Sequence, residues 1–202
     1  MAKASVEKTI TDLIKSNSWG KLAKHCEDWE YECAENPDAH ALPFYSVHLL
    51  VYMIENELSH ARFLWKRIPA PLKESDPELS AIWAIGREMW AKNPTNFYKA
   101  LTAFNWSPGV AALITALAES YRRRMFDLVA KAYSTITVSD CATLLGLAEN
   151  DTTKLAAENG WEVDSSSGML CPKIPLQPKQ QSTGLPQLQQ LTDYVVFLEQ
   201  QW

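Results

Sequence analysis

YSTITVSDCATLLGLAENDTTKLAAENGWEVD, residues 133–164, reads as one small unit whose type sets the role of the segments on either side. The run Thr135, Ile136, Thr137, Val138 is β-branched and suits a short strand. Ser139 and Asp140 then offer an N-cap oxygen and a first-turn negative charge to a helix through Cys141, Ala142, Leu144 and Leu145. Gly146 stops that helix, because glycine accepts the positive φ of a C-terminal cap. After Leu147 a second helix is expected from about Glu149 or Asn150 to Asn159, with Leu155 and Ala156 inward and Gly160 as its stop. Trp161 and Val163, then Met169 and Leu170, flank the polar residues 164–168 as strand, turn, strand. Helix, turn, helix and hairpin in this order predict a winged helix over 133–172.

Such units often read DNA, so the charges matter. A recognition helix presents Arg, Lys, Asn or Gln to bases and phosphates. This one carries Glu149, Asp151 and Glu158 against Lys154, and such a helix repels a phosphate backbone. Assembly with other proteins is the role that its charge leaves open.

The 202 residues, 47% of them hydrophobic and eight of them Trp, are enough for a real core. A net charge of −5 argues against nucleic acid or an anionic membrane as the principal partner. No apolar run reaches the roughly 18 residues that span a bilayer, and the segment around Lys3 and Lys8 has no hydrophobic signal core. The expectation is a soluble, unsecreted chain of nucleus and cytoplasm. Cys26, Cys33, Cys141 and Cys171 form no CxxC pair. Cys26 and Cys33 lie seven apart on one helical face near His25 and His40, a conceivable metal site, but reduced, partly buried thiols are the simpler reading.

Residues 1–132 repeat one pattern. Val6, Ile10, Leu13 and Ile14 recur at helical spacing up to Ser16-Asn17-Ser18, and Trp19, Leu22, Ala23, Cys26, Trp29 and Cys33 continue it in a helix that stops before Pro37. After Pro43, residues 45–55 are apolar on most sides, as in an inner helix, and 58–68 follow as its hairpin partner, ended by Pro69 and Pro71. Asp76-Pro77-Glu78 is a cap, a proline at the first helical position and an acid for the dipole; in the same way Asn93-Pro94 restarts a helix through Phe97, Leu101 and Phe104, and Ser107-Pro108 restarts another. The last of these ends at Ser120 or runs on to Tyr133. Paired helices with tight polar or proline-marked joints predict an α-solenoid of helical hairpins without a fixed repeat period. The tryptophans are expected to fill layers between hairpins, and Arg122-Arg123-Arg124 to be a solvated face or to pair with acidic neighbours.

Residues 173–186 hold prolines with Gln, Ser and Gly, too little apolar surface to offset the entropy of ordering, and read as a linker. In 187–202, QLQQLTDYVVFLEQQW, the residues Leu188, Leu191, Val195, Leu198 and Trp202 alternate spacings of three and four, a heptad seam that Tyr194 and Phe197 widen. A lone helix of this length is marginal in water, while burial of five such side chains contributes at most about 7–15 kcal/mol. The helix therefore needs a surface, either on its own chain or in a bundle with other chains.

Several blocks carry a family resemblance: SHARFLWKRIP (59–69), RMF (124–126), AYSTIT (132–137), ENGWEVD (158–164) and LTDYVVFLE (191–199). In this order they resemble the subunit-eight family of the COP-nine (constitutive photomorphogenesis nine) signalosome, especially its plant members, within the PCI-domain proteins. The resemblance implies a mostly α fold: helical repeats, a winged helix and a C-terminal amphipathic helix. It implies that the winged-helix sheets of six subunits line up in an open ring and that the tail helices gather in a bundle. The ring neighbour would be subunit three. The assembly removes the modifier Nedd8 from cullins, regulates cullin-RING ubiquitin ligases and, in plants, represses light-dependent development. Ile136, Val138, Val163 and Leu170 would hold the sheet, whose edge can pair with a neighbour's; Leu188, Leu191, Tyr194, Val195, Phe197 and Leu198 would anchor the tail.

Catalytic motifs do not compete with this reading. His25, His40, His48 and His60 form neither HxH nor HExxH, and there is no GxSxG, Walker A or GxGxxG. No catalytic residue, cofactor or metal is expected. Two other readings remain: a winged-helix regulator associated with nucleic acid, whose Arg122–Arg124 run meets phosphate, and a free-standing helical-repeat adaptor for peptides.

Overall fold

A ten-residue helix with no charged side chain must be covered on most sides, and YSVHLLVYMI at 45–54 is such a segment. The computed structural model describes residues 9–10, 12–14, 16–35, 44–164, 168–173 and 184–199. In it, every residue from 48 to 54 is buried. Among the described residues the first half contains α1 (Trp19–Glu35), α2 (Tyr45–Ile54), α3 (Leu58–Arg67), α4 (Ala70–Ser75), α5 (Pro77–Trp90), α6 (Pro94–Thr102) and α7 (Pro108–Ala132). Helix α2 packs against α1, α3, α5 and α7 at once. The hairpin partners α2–α3 and α5–α6 are neighbours, but α2 is a hub where a sequential stack would give each hairpin only its successor. Residues 9–10 and 12–14 are helical, and Ile10 joins the core; Val6, Pro37, His40 and Pro43 lie outside the described residues.

The capping signals act locally. Asp76 accepts from the backbone N–H groups of Glu78 (3.0 Å) and Leu79 (3.2 Å), and Asn93 accepts from that of Asn96 (3.3 Å). Ser107 is capped from elsewhere: its N–H and hydroxyl donate to the Glu78 carboxylate of α5 at 2.8 and 3.2 Å. Two expectations need correction. Pro71 does not end a helix; it stands in the first turn of α4, where a missing N–H costs nothing. Phe104 lies beyond α6, with its ring 5.0 Å from that of Trp106.

Helix α7 is continuous over 25 residues and belongs to two cores. Val110, Leu113, Ile114, Leu117 and Tyr121 pack in the first, while Val129 and Ala130 pack in a second with Ile136, Cys141, Leu145, Ala156, Trp161 and Leu170. Around that second core lie α8 (Val138–Leu145), α9 (Glu149–Glu158) and three strands, β1 (Ile136–Thr137), β2 (Glu162–Asp164) and β3 (Met169–Cys171). Phe126 of α7 stacks on Trp161, ring centroids 4.1 Å apart.

The entry into α8 differs from expectation. Thr137, not Ser139, is the N-cap: its Oγ1 accepts from the N–H of Asp140 at 3.1 Å. The helix therefore opens at Val138, which leaves the strand although its N–H still donates to the Gly168 carbonyl at 3.1 Å. A β-branched residue suits either state, and the hydroxyl one position earlier decides where the helix begins.

The arginine run is neither a solvated face nor a set of ion pairs. Arg122 Nε donates to the Leu145 carbonyl at 3.2 Å, and Arg124 Nη2 to the Met53 carbonyl at 3.3 Å. Both acceptors sit in a last helical turn, where the dipole favours a cation; the Met53 carbonyl also accepts from the Asn56 N–H at 3.1 Å. Arg123 alone of the three is exposed.

Residues 173–202 form a separate unit from 1–172. It contains α10 (Gly184–Glu199), which begins before the heptad seam; Trp202 and residues 174–183 lie outside the described residues.

Candidate protein-interaction site

The sheet is antiparallel in the order β1-β3-β2, so β3 is paired on both sides and β2 and β1 are outer strands. Ile136 and Val163 both stand opposite Leu170 across the ladder. Strand alternation turns that row inward, where Leu170 and Ile136 are buried and Val163 half-buried. These side chains hold the sheet on its helices; what they leave available is backbone. The outward row contains Glu162, Asp164 and the exposed Met169. Val138 packs partly buried on the same core from the first turn of α8. Residues 165–167, the turn between β2 and β3, lie outside the described residues.

Three exposed apolar groups beside this unit are absent from the interaction residues expected from the sequence: Leu128, Tyr133 and Met169. The signal was present for Leu128, which falls off the inward stripe of Met125, Phe126, Val129 and Ala130.

On α10, Leu188, Leu191, Tyr194, Val195, Val196, Phe197 and Leu198 are exposed to between 44% and 67%. Residues 194–198 are five consecutive apolar positions, which surround the helix at 100° per residue and do not stop at one seam. Contiguous apolar surface of this kind makes α10 a candidate interaction surface.

Burial makes two of the thiols, Cys26 and Cys141, poor nucleophiles. Burial pushes the Cys26 thiol up to about 12, with Glu27 and Glu30 adding to it, and burial alone pushes Cys141 up to about 11. Cys33 is also raised, by burial and then by Glu32 and Glu30. Among the described residues no cluster of three or more His, Cys, Asp and Glu side chains could hold a metal ion. On α9, exposed Glu149, Asp151 and Glu158 face solvent, and Lys154 is drawn to Asp151 at 3.5 Å. With Arg122 and Arg124 engaged by backbone carbonyls, the phosphate-binding alternative keeps only Arg123 of its proposed surface.

Comparison with known proteins finds relatives that match along most of the chain. Residues 39–182 match the model of the CSN8/PSMD8/EIF3K family. The COP9 signalosome complex subunit 8 of Arabidopsis thaliana is 37% identical over 191 residues, which cover 94% of this chain and 97% of that protein. The subunit 8 of Xenopus laevis is 38% identical over 91% of this chain and 94% of its own length. That of Dictyostelium discoideum is 39% identical over 94% and 96%.

Proposed function

The chain belongs to the CSN8/PSMD8/EIF3K family, and from that premise we propose that it is a non-catalytic, architectural subunit of a COP9 signalosome, acting where subunit 8 acts. The unit of α8, α9 and the sheet serves as a winged helix whose outer strand β2 extends a neighbour's sheet by backbone hydrogen bonds. Subunit three is the neighbour that the family resemblance implies. Helix α10 joins a bundle of tail helices, with Leu188, Leu191, Tyr194, Val195, Phe197 and Leu198 as its anchors. Through the assembly the chain contributes to Nedd8 removal from cullins in nucleus and cytoplasm, and the isopeptidase chemistry belongs to another subunit.

The observation that carries this reading is the exposed apolar girdle of α10. A chain gains nothing by holding such side chains in water, and a bundle of helices covers a girdle as well as a stripe. The test is co-expression with signalosome subunits three to seven of the full chain and of one ending before Gly184, followed by sizing and native mass spectrometry. Incorporation of the full chain and loss of the shortened one is the expected result. Equal incorporation of both removes the tail from the assembly role, and failure of both removes the role itself.

A further inference from the structure

Between α3 and α5 lies a groove of about 300 Å³, bordered by Leu58, Ala61, Arg62, Trp83, Arg87 and Trp90. Its lining is mostly apolar, with two guanidinium groups at the rim. The Arg62 Cζ stands 5.4 Å from the centroid of the Trp90 ring, and Trp90 is 52% exposed. One face of Trp83 is already taken, since its ring lies parallel to that of Trp65 at 5.1 Å.

Of the other arginines, Arg123 is exposed and three are committed. Arg67, on α3 as well, forks the Glu30 carboxylate with bonds of 3.1 and 2.8 Å, and Arg122 and Arg124 donate to carbonyls. Arg62 and Arg87, by contrast, enter no ion pair among the described residues, in a chain of net charge −5. A guanidinium laid on an indole is already oriented, with its N–H edges free to meet a carboxylate in the bidentate geometry that arginine favours. The volume suits one or two side chains, at the low end of binding pockets.

We propose that this groove docks an acidic segment of a partner protein, in which a bulky apolar side chain enters between Trp83 and Trp90 while flanking Asp or Glu carboxylates meet Arg62 and Arg87. The charge is complementary, and the exposed indole supplies the anchor that interfaces favour. A single nucleic-acid strand fits less well, since it asks for cations along its path and open ring faces for successive bases. This contact lies on the helical half and uses none of the residues of the assembly reading.

The test uses the full chain and three fluorescein-labelled hexapeptides: Asp-Glu-Leu-Phe-Asp-Glu, its amide counterpart Asn-Gln-Leu-Phe-Asn-Gln, and Asp-Glu-Ser-Ser-Asp-Glu. Anisotropy titrations should show binding of the first, weakened at least about tenfold in each of the other two and by added salt. Arg62→Glu with Arg87→Glu, both at exposed positions, should abolish it, whereas Arg123→Glu should leave it unchanged. Circular dichroism checks that each variant is folded. No binding of the first peptide at about 1 mM, equal binding of the amide peptide, or full binding by the double variant would each overturn the proposal. Preference for a labelled oligonucleotide would overturn it in favour of a single strand, and self-association abolished in the double variant would assign the groove to a second copy.

Discussion

Arg122 Nε donates to the carbonyl oxygen of Leu145 across 3.2 Å, a bond from the middle of α7 to the last turn of α8. The same guanidinium lies 6.0 Å from the centroid of the Tyr98 ring on α6. One side chain thus ties the helical half to the first helix of the sheet-bearing half, and it does so by satisfying a carbonyl that α8 cannot satisfy itself.

Arg122→Ala should therefore destabilise the chain by about 1–2 kcal/mol, while Arg123→Ala, at an exposed position one residue on, should stay within about 0.5 kcal/mol. Urea unfolding of the two variants separates these outcomes. Equal costs would mean that the bond contributes nothing.

Gly146 ends α8 with φ +64°, and a Cβ there would come within 2.4–2.6 Å of the Tyr98 ring. Gly146→Ala should cost about 2 kcal/mol or more, part from the left-handed backbone and part from the clash. In a Tyr98→Ala background the same change should cost only about 1 kcal/mol, and a double-mutant cycle measures the difference.

His48 is buried in α2 with no hydrogen-bond partner at Nε2 among the described residues, and burial lowers its pKa to about 4, Glu27 opposing the shift and Arg67 adding to it. Glu30 Oε2 lies 3.7 Å from Nδ1, and the Tyr52 ring packs against the imidazole. The folded-state value is below the unfolded one of about 6.5, so between the two the unfolded chain binds more protons. Stability contributed by the neutral ring is complete above about pH 6.5 and falls as pH drops towards 4, by up to about 1.4 kcal/mol per pH unit. Unfolding free energies measured at intervals from pH 7 to 4.5 should show this slope, and His48→Phe should flatten it.

Thiol reactivity should follow burial. Treatment of the folded chain with iodoacetamide at about pH 8 should label half-buried Cys33 and Cys171 first, with buried Cys26 and Cys141 at least about tenfold slower. Mass spectrometry of a time course reads the order, and early labelling of Cys141 would show that the second core opens readily.

What the sequence determined by itself is the set of features with short-range causes. Pro77, Pro94 and Pro108 open helices because a first-turn residue needs no N–H, Asp76 and Asn93 cap because their oxygens reach donors two or three residues away, and Gly146 stops α8 because it takes positive φ. The inner position of α2 and the apolar character of α10 were also legible, since both are properties of one helix. Tertiary structure decided whatever depends on which helices meet. Glu78 caps Ser107 from 29 positions away, Arg124 reaches Met53 across 71, and Arg62 finds Trp90 only because α3 and α5 lie side by side. Periodicity tells which face of a helix is apolar but not which neighbour covers it, so the three arginines that read as surface charge turned out to be two internal ties and one exposed residue.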